Sequence, residues 1–300
     1  MTMKGKPTGL LVPLTTPFDS ATGDIAPVGL RDNARAVLSA GASGIVAAGS
    51  TGEASLLSEG EYRQVVAWLR DVVPDELWLL AGAGRESTRA TLAACRAAAE
   101  EGADAVLVRA PSYYGPVITT ASLTEHFRRI ADQSPIPVVL YNFPRYTHVP
   151  IPVELVRALA KHENVWGAKD SAGDLKNFAA FREAATDWSL FIGPGALYYP
   201  ALELGAVGAI AAVGCFAPRK TVEIGRRFVV GDRSAAGAVQ EVVAPLHKAI
   251  VGELGIPGIK AAMDAVGLVG GRPRSPIPSL GAKGIERVHR LLEEAKLVDF

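Results

Sequence analysis

The chain has 300 residues, 49% of them hydrophobic, enough for a large core in one α/β barrel or in two smaller domains. Its 31 basic and 31 acidic residues cancel, and no run of like charge marks a tail, which sets nucleic acid and anionic membrane aside as partners. Two cysteines, Cys95 and Cys215, are too few for a disulfide framework and favour a reducing, cytoplasmic setting. No apolar run is long enough to cross a bilayer, and the early patch at 9–14 is too short for a signal-peptide core.

Short runs rich in valine, isoleucine and leucine alternate with longer amphipathic stretches, the pattern of repeated βα units around a parallel sheet. The first run, 9–14, leads into Thr15-Thr16-Pro17-Phe18; the second, 44–48, leads into Gly49-Ser50-Thr51-Gly52-Glu53. The helix expected over 58–73 starts at Ser58, with Glu61 three residues on to complete a capping box. Runs at 77–81 and 105–109 follow, the latter opening onto Pro111-Ser112-Tyr113-Tyr114. The fifth, 137–141, continues as Asn142-Phe143-Pro144, and the sixth, 165–169, ends in Lys169. Runs at 190–193 and 209–213 complete the set. Eight strands, each separated by enough chain for a crossover helix, predict an α/β fold, a (β/α)8 TIM barrel over residues 1–232. A doubly wound open sheet is the rival arrangement. After Arg233 the strand runs stop, and helical stretches near 235–251, 257–266 and 283–297 predict a C-terminal three-helix extension over 233–300.

In a barrel the carboxyl ends of the strands and the loops after them form the active site, so a lysine at the end of strand six bears on function. An ammonium group is costly to bury unless it is paired or neutralised. Lys169 therefore sits either at a solvated strand end or in a setting that lowers its pKa until the free amine attacks a carbonyl. Tyr141 lies on the neighbouring strand, about 5 Å away, where a phenol shuttles protons or simply packs. The small residues and hydroxyls of Gly49, Ser50 and Thr51, with Thr16 from the first loop, suit a carboxylate held by several hydrogen bonds; an ordinary βα turn is the alternative. The five histidines lack metal-ligand spacing, so no metal site is predicted. Gly82-Ala83-Gly84 lacks the third glycine of a dinucleotide fingerprint, and neither a Walker A motif nor a Gly-x-Ser-x-Gly elbow occurs.

Taken in order, TTPF, GSTGE, the tyrosine pair, LYNFP, GAKDSAGD and GIPGIKAAMDAVG resemble the pyruvate-dependent Schiff-base lyases grouped with dihydrodipicolinate synthase and N-acetylneuraminate lyase, over nearly the whole chain. The resemblance implies a barrel with a C-terminal helical domain, a homotetramer, and a 2-oxo acid bound covalently to Lys169 with no other cofactor. It implies that Tyr141 relays protons, that Ser50 and Thr51 hold the carboxylate, and that Thr51 links Tyr141 to Tyr114, which reaches into a neighbouring subunit. Gly193 and Ile210 match pocket-lining positions. The synthases carry Tyr-Asn-x-Pro-Ser-Arg-Thr-Gly, whose arginine grips the second substrate; here Tyr146 stands at that arginine and His148 at the glycine. That departure, with SYYGPVITTASL, SPIPVVLY and GIPG, looks closer to 4-hydroxy-2-oxoglutarate aldolases and 2-keto-3-deoxy sugar acid aldolases. Ser171 would then face the second substrate, with Arg145, one position early, reaching a distal carboxylate or standing as a surface arginine. The expected activity is thus a class I aldolase acting on a 4-hydroxy-2-oxo acid, with dihydrodipicolinate synthase as the alternative and a non-catalytic 2-oxo acid binder as the reading from another class.

Overall fold

The computed structural model describes residues 5–297. Eight parallel strands pair in sequence order and close on themselves: β1 (Gly9–Pro13), β2 (Gly44–Ala47), β3 (Trp78–Gly82), β4 (Ala105–Arg109), β5 (Val138–Asn142), β6 (Val165–Asp170), β7 (Ser189–Ile192) and β8 (Gly208–Ile210). The closing pair is β8 against β1, so the sheet is a barrel and not the open alternative. Strand eight stops three residues before the apolar run does, because 212–215 wind into a short 3-10 turn. An uninterrupted apolar run carries no mark of where pairing ends.

Helices cover the outside, among them α1 (Pro27–Ser39), α2 (Glu59–Arg70), α3 (Thr88–Glu100) and α4 (Thr120–Gln133). The Ser58 hydroxyl accepts from the Glu61 N–H, and the Glu61 carboxylate accepts from the Ser58 N–H, the reciprocal cap expected from the sequence. Leu11, Val46, Leu80, Leu107, Val139, Phe191 and Ile210 fill the barrel interior, and Trp78 packs edge-on against Trp166 there. No helix among the described residues is long and apolar enough to cross a membrane.

One irregularity aims the lysine. Val138 pairs with Val165 but Val139 pairs with Gly167, so Trp166 is an extra residue in β6. Val165 and Ala168 face the layer between barrel and helices, whereas Trp166 packs inside. Strict alternation outward from Val165 would turn position 169 outward too. The bulge shifts the phase by one residue and swings Lys169 into the barrel mouth.

Beyond the barrel, α5 (Arg233–Leu246) runs into a π-helical segment, His247–Glu253, followed by α6 (Gly255–Ala265) and α7 (Ala282–Glu294). The sequence pattern reads 235–251 as one helix. Pro245, which has no N–H to donate, precedes the change of winding. Val243, Leu246, Ile250, Ile259, Met263, Val288 and Leu292 share one apolar core with the barrel helices, so the extension is bound down over the mouth by burial.

Candidate active site

Lys169 pairs in register with Tyr141 on β5 and Phe191 on β7, so three inward side chains share one layer at the carboxyl end of the barrel. The lysine is 6% exposed. Its Nζ lies 4.2 Å from the centroid of the Tyr141 ring, and among the described residues no carboxylate pairs with it. Burial pulls its pKa down from 10.5 to about 7, so a large fraction is free amine at neutral pH. The thiol of Cys215 lies within electrostatic range, but burial pushes it up to about 12, and its Sγ donates to the Pro13 carbonyl at 3.1 Å. It supplies no negative charge.

The phenol of Tyr141 is pushed up to about 12 by burial, against the opposing hydrogen bonds of the Ser50 and Ser171 hydroxyls. It is a neutral donor with two hydroxyls through which a proton can pass. Gly193 makes room for one of them: a Cβ there would lie 1.8 Å from the Ser171 Oγ. The glycine at this position is a steric requirement of the neighbouring strand end. Asp170 turns the other way, accepting from Asn142 Nδ2 at 2.8 Å, Ala172 N–H at 3.0 Å and Asn177 Nδ2 at 3.1 Å. It ties the ends of β5 and β6 together from outside.

A cavity of about 240 Å³ opens over the lysine. Ser50, Thr51, Tyr141, Lys169, Ser171, Arg145, Gly193 and Ile210 line it, which brings together most of the residues singled out in the sequence. Its roof comes from the extension: His247, Val251, Gly252, Ile256 and Ile259. Arg145 borders the cavity with its guanidinium donating to the Gly252 carbonyl at 3.3 Å.

Three candidates lie elsewhere. Gly49 borders a smaller adjoining space of about 40 Å³ that it shares with Ser50 and Tyr141. Thr16 is buried beneath the β2 loop, its hydroxyl donating to the Gly52 carbonyl at 2.7 Å. Tyr114 is 67% exposed, edge-on to Tyr113 at 5.0 Å, and outside the cavity; in this single chain the hydroxyls on Tyr141 come from Ser50 and Ser171.

The β2 loop is held from below by a feature that the motifs did not reveal. Glu53 adopts a left-handed backbone, φ 59°, and its carboxylate meets Lys260 Nζ at 2.6 Å with both side chains fully buried. Lys260 also donates to the Thr16 carbonyl at 2.8 Å and the Arg272 carbonyl at 3.0 Å, while the Arg274 N–H donates to Glu53 at 2.8 Å. The sequence signal was present in GSTGE and GIPGIK, but only the fold puts the two motifs side by side. His247 carries no signal in the sequence, because a lone histidine without metal spacing is ordinarily packing. Among the described residues no three His, Cys, Asp or Glu side chains are grouped as a metal site would need.

A closed parallel barrel with an unpaired, buried amine and a phenol at its mouth meets the chemical demands of a class I aldolase. The chain belongs to the dihydrodipicolinate synthetase family, whose model matches residues 6–295. A 4-hydroxy-tetrahydrodipicolinate synthase of Methanopyrus kandleri is 34% identical over 292 residues, covering 97% of each chain. Among solved structures, a chloride-inhibited dihydrodipicolinate synthase from Acinetobacter baumannii complexed with pyruvate superposes with a TM-score of 0.92 at 29% identity, covering 97% of this chain and 99% of its own. YagE of Escherichia coli K12, a prophage protein of the dihydrodipicolinic acid synthase family in complex with pyruvate, gives 0.91 at 26% identity, with 97% and 99% covered. This protein is an enzyme, a pyruvate-dependent lyase of the Schiff-base-forming class.

Proposed function

We propose that Lys169 forms an imine with the 2-oxo group of a 4-hydroxy-2-oxo acid and that the enzyme cleaves this adduct to pyruvate and an aldehyde. The observation that carries the reading is the buried amine facing Tyr141 without a counter-ion. The free amine adds to the C2 carbonyl and water leaves, giving a protonated imine that accepts an electron pair. Ser50 and Thr51 hold the C1 carboxylate. Tyr141 takes the proton of the 4-hydroxyl as its own proton is relayed through the Ser50 or Ser171 hydroxyl to water in the cavity; the C3–C4 bond breaks, its electron pair moves into the protonated imine, the aldehyde departs and an enamine remains. Protonation at C3 and hydrolysis of the imine release pyruvate and restore the amine. No metal or organic cofactor enters this scheme. For 4-hydroxy-2-oxoglutarate the aldehyde is glyoxylate, whose carboxylate would meet Arg145, the cationic side chain besides Lys169 that borders the cavity.

A second reading, condensation of pyruvate with aspartate semialdehyde, is supported by the name of the Methanopyrus kandleri relative. Tyr146 at the position of the synthases' arginine argues for the aldolase. Exposed Tyr113 and Tyr114 on one face further support a homo-oligomer in which Tyr114 completes a neighbouring copy's site. The test is borohydride reduction in the presence of pyruvate with peptide mapping, followed by parallel assays of 4-hydroxy-2-oxoglutarate cleavage and aspartate semialdehyde condensation. An adduct on Lys169 with pyruvate release from the hydroxy acid is the expected result. Turnover that survives Lys169→Ala would overturn the reading.

A further inference from the structure

The roof of the cavity carries a group that this mechanism does not use. His247 opens the π-helical segment, a rare winding that is frequent at functional sites. The Gly195 N–H donates to its Nδ1 at 3.2 Å. A backbone N–H only donates, so Nδ1 is the bare nitrogen and the neutral ring carries its proton on Nε2. Burial, with the charge of Lys169 as a second cause, drops the imidazole to about 4, so it is uncharged at neutral pH. The same glycine is gripped from its other side, where Gln240 Nε2 donates to the Gly195 carbonyl at 3.0 Å. The Gly195 backbone is thus held on both sides, and the bond from its N–H fixes the ring's orientation. Nε2 has no hydrogen-bond partner among the described residues, although the ring borders the cavity that holds Lys169. Its neighbours in the roof, Val251, Ile256 and Ile259, are apolar. A fixed N–H in an apolar wall discriminates strongly, because a ligand without an acceptor leaves it unpaired.

We propose that the His247 Nε2–H donates a hydrogen bond to an oxygen on the part of the substrate beyond the imine carbon, its 4-hydroxyl or terminal carboxylate, and so helps to select the molecule joined to or split from pyruvate. The inference rests on the imine reading above. It makes His247 a specificity residue of the second substrate and gives it no part in holding pyruvate.

The two ring nitrogens can be tested apart. Asparagine reaches as far as Nδ1 and keeps an acceptor for Gly195, with nothing at Nε2; glutamine puts an amide N–H where Nε2 was. His247→Asn is expected to trap pyruvate with borohydride to the wild-type extent while kcat/KM for 4-hydroxy-2-oxoglutarate, or for aspartate semialdehyde if that is the substrate turned over, falls about 10- to 100-fold. His247→Gln is expected to recover most of that loss, and His247→Leu, close in volume and without a donor, to repeat it. Unchanged second-substrate kinetics in the asparagine and leucine variants, with pyruvate still trapped, would overturn this inference alone. Pyruvate trapping that falls in step with turnover would make His247 a mere brace of the Gly195 loop and overturn it as well. A wild-type enzyme that traps no pyruvate would overturn the imine reading beneath it.

Discussion

Among the described residues two lysines are buried, and their surroundings could hardly differ more. Lys260 lies in the joint between the β2 loop and the extension, fully buried, with Glu53 at 2.6 Å and two carbonyl oxygens as acceptors. A carboxylate at ion-pair distance and two carbonyl acceptors are the surroundings of an ammonium ion; burial pulls its pKa down and the Glu53 charge pushes back. Lys169 is buried to a similar degree but faces a phenol ring and a neutral thiol. Burial by itself therefore does not free an amine of its proton. The removal of a counter-ion does, because only then is the desolvation cost met by giving up the proton.

Substitution of each lysine should separate the two roles. Lys169→Ala is expected to lower turnover by about 10⁴-fold or more and to abolish borohydride trapping, since a covalent route is lost outright. The same variant should keep or slightly raise its melting temperature, because an unpaired polar group has left the interior. Lys260→Met should instead lower stability, costing about 3–5 kcal/mol in denaturant unfolding by stranding the Glu53 charge. Adding Glu53→Gln should recover part of it. Equal stability losses at both positions would end the contrast.

Smaller effects sharpen the site itself. Gly193→Ala drives a methyl group into the Ser171 hydroxyl and is expected to reduce kcat/KM about 10- to 100-fold with the Lys169 adduct still formed, measured by trapping beside steady-state assays. Single-turnover imine formation should rise about tenfold from pH 6 to pH 8 and then level off, following the free amine through about 7. Between 7 and 10.5 the unfolded chain binds the proton that folded Lys169 releases. Wild-type stability relative to Lys169→Met should accordingly rise with pH across that window and be lowest below it.

The strand order and the capped second helix were legible because a parallel barrel writes nearly continuous apolar runs at regular intervals. That Lys169, Tyr141, Ser50 and Ser171 would meet at one mouth was legible for the same reason, since all four stand at or just after strand ends, and they line one cavity. What escaped was phase and long-range pairing. Nothing in VWGAKD marks Trp166 as the extra residue, since a bulge is decided by the partner strand. The turn at 212–215 and the π-helical winding after Leu246 both hide inside apolar stretches whose period does not change. Glu53 and Lys260 are 207 positions apart, and two charges of opposite sign in a neutral chain have many possible partners.

The joint at Lys260 bears on how this fold can be taken apart. A fragment carrying only the eight βα units would keep Lys169 but lose the cation that holds the loop of Ser50 and Thr51, along with His247 and the rest of the roof. The enzyme is thus indivisible at the place where its chain looks most divisible. A transplanted barrel would need a new source of positive charge beneath that loop to meet the buried Glu53 carboxylate.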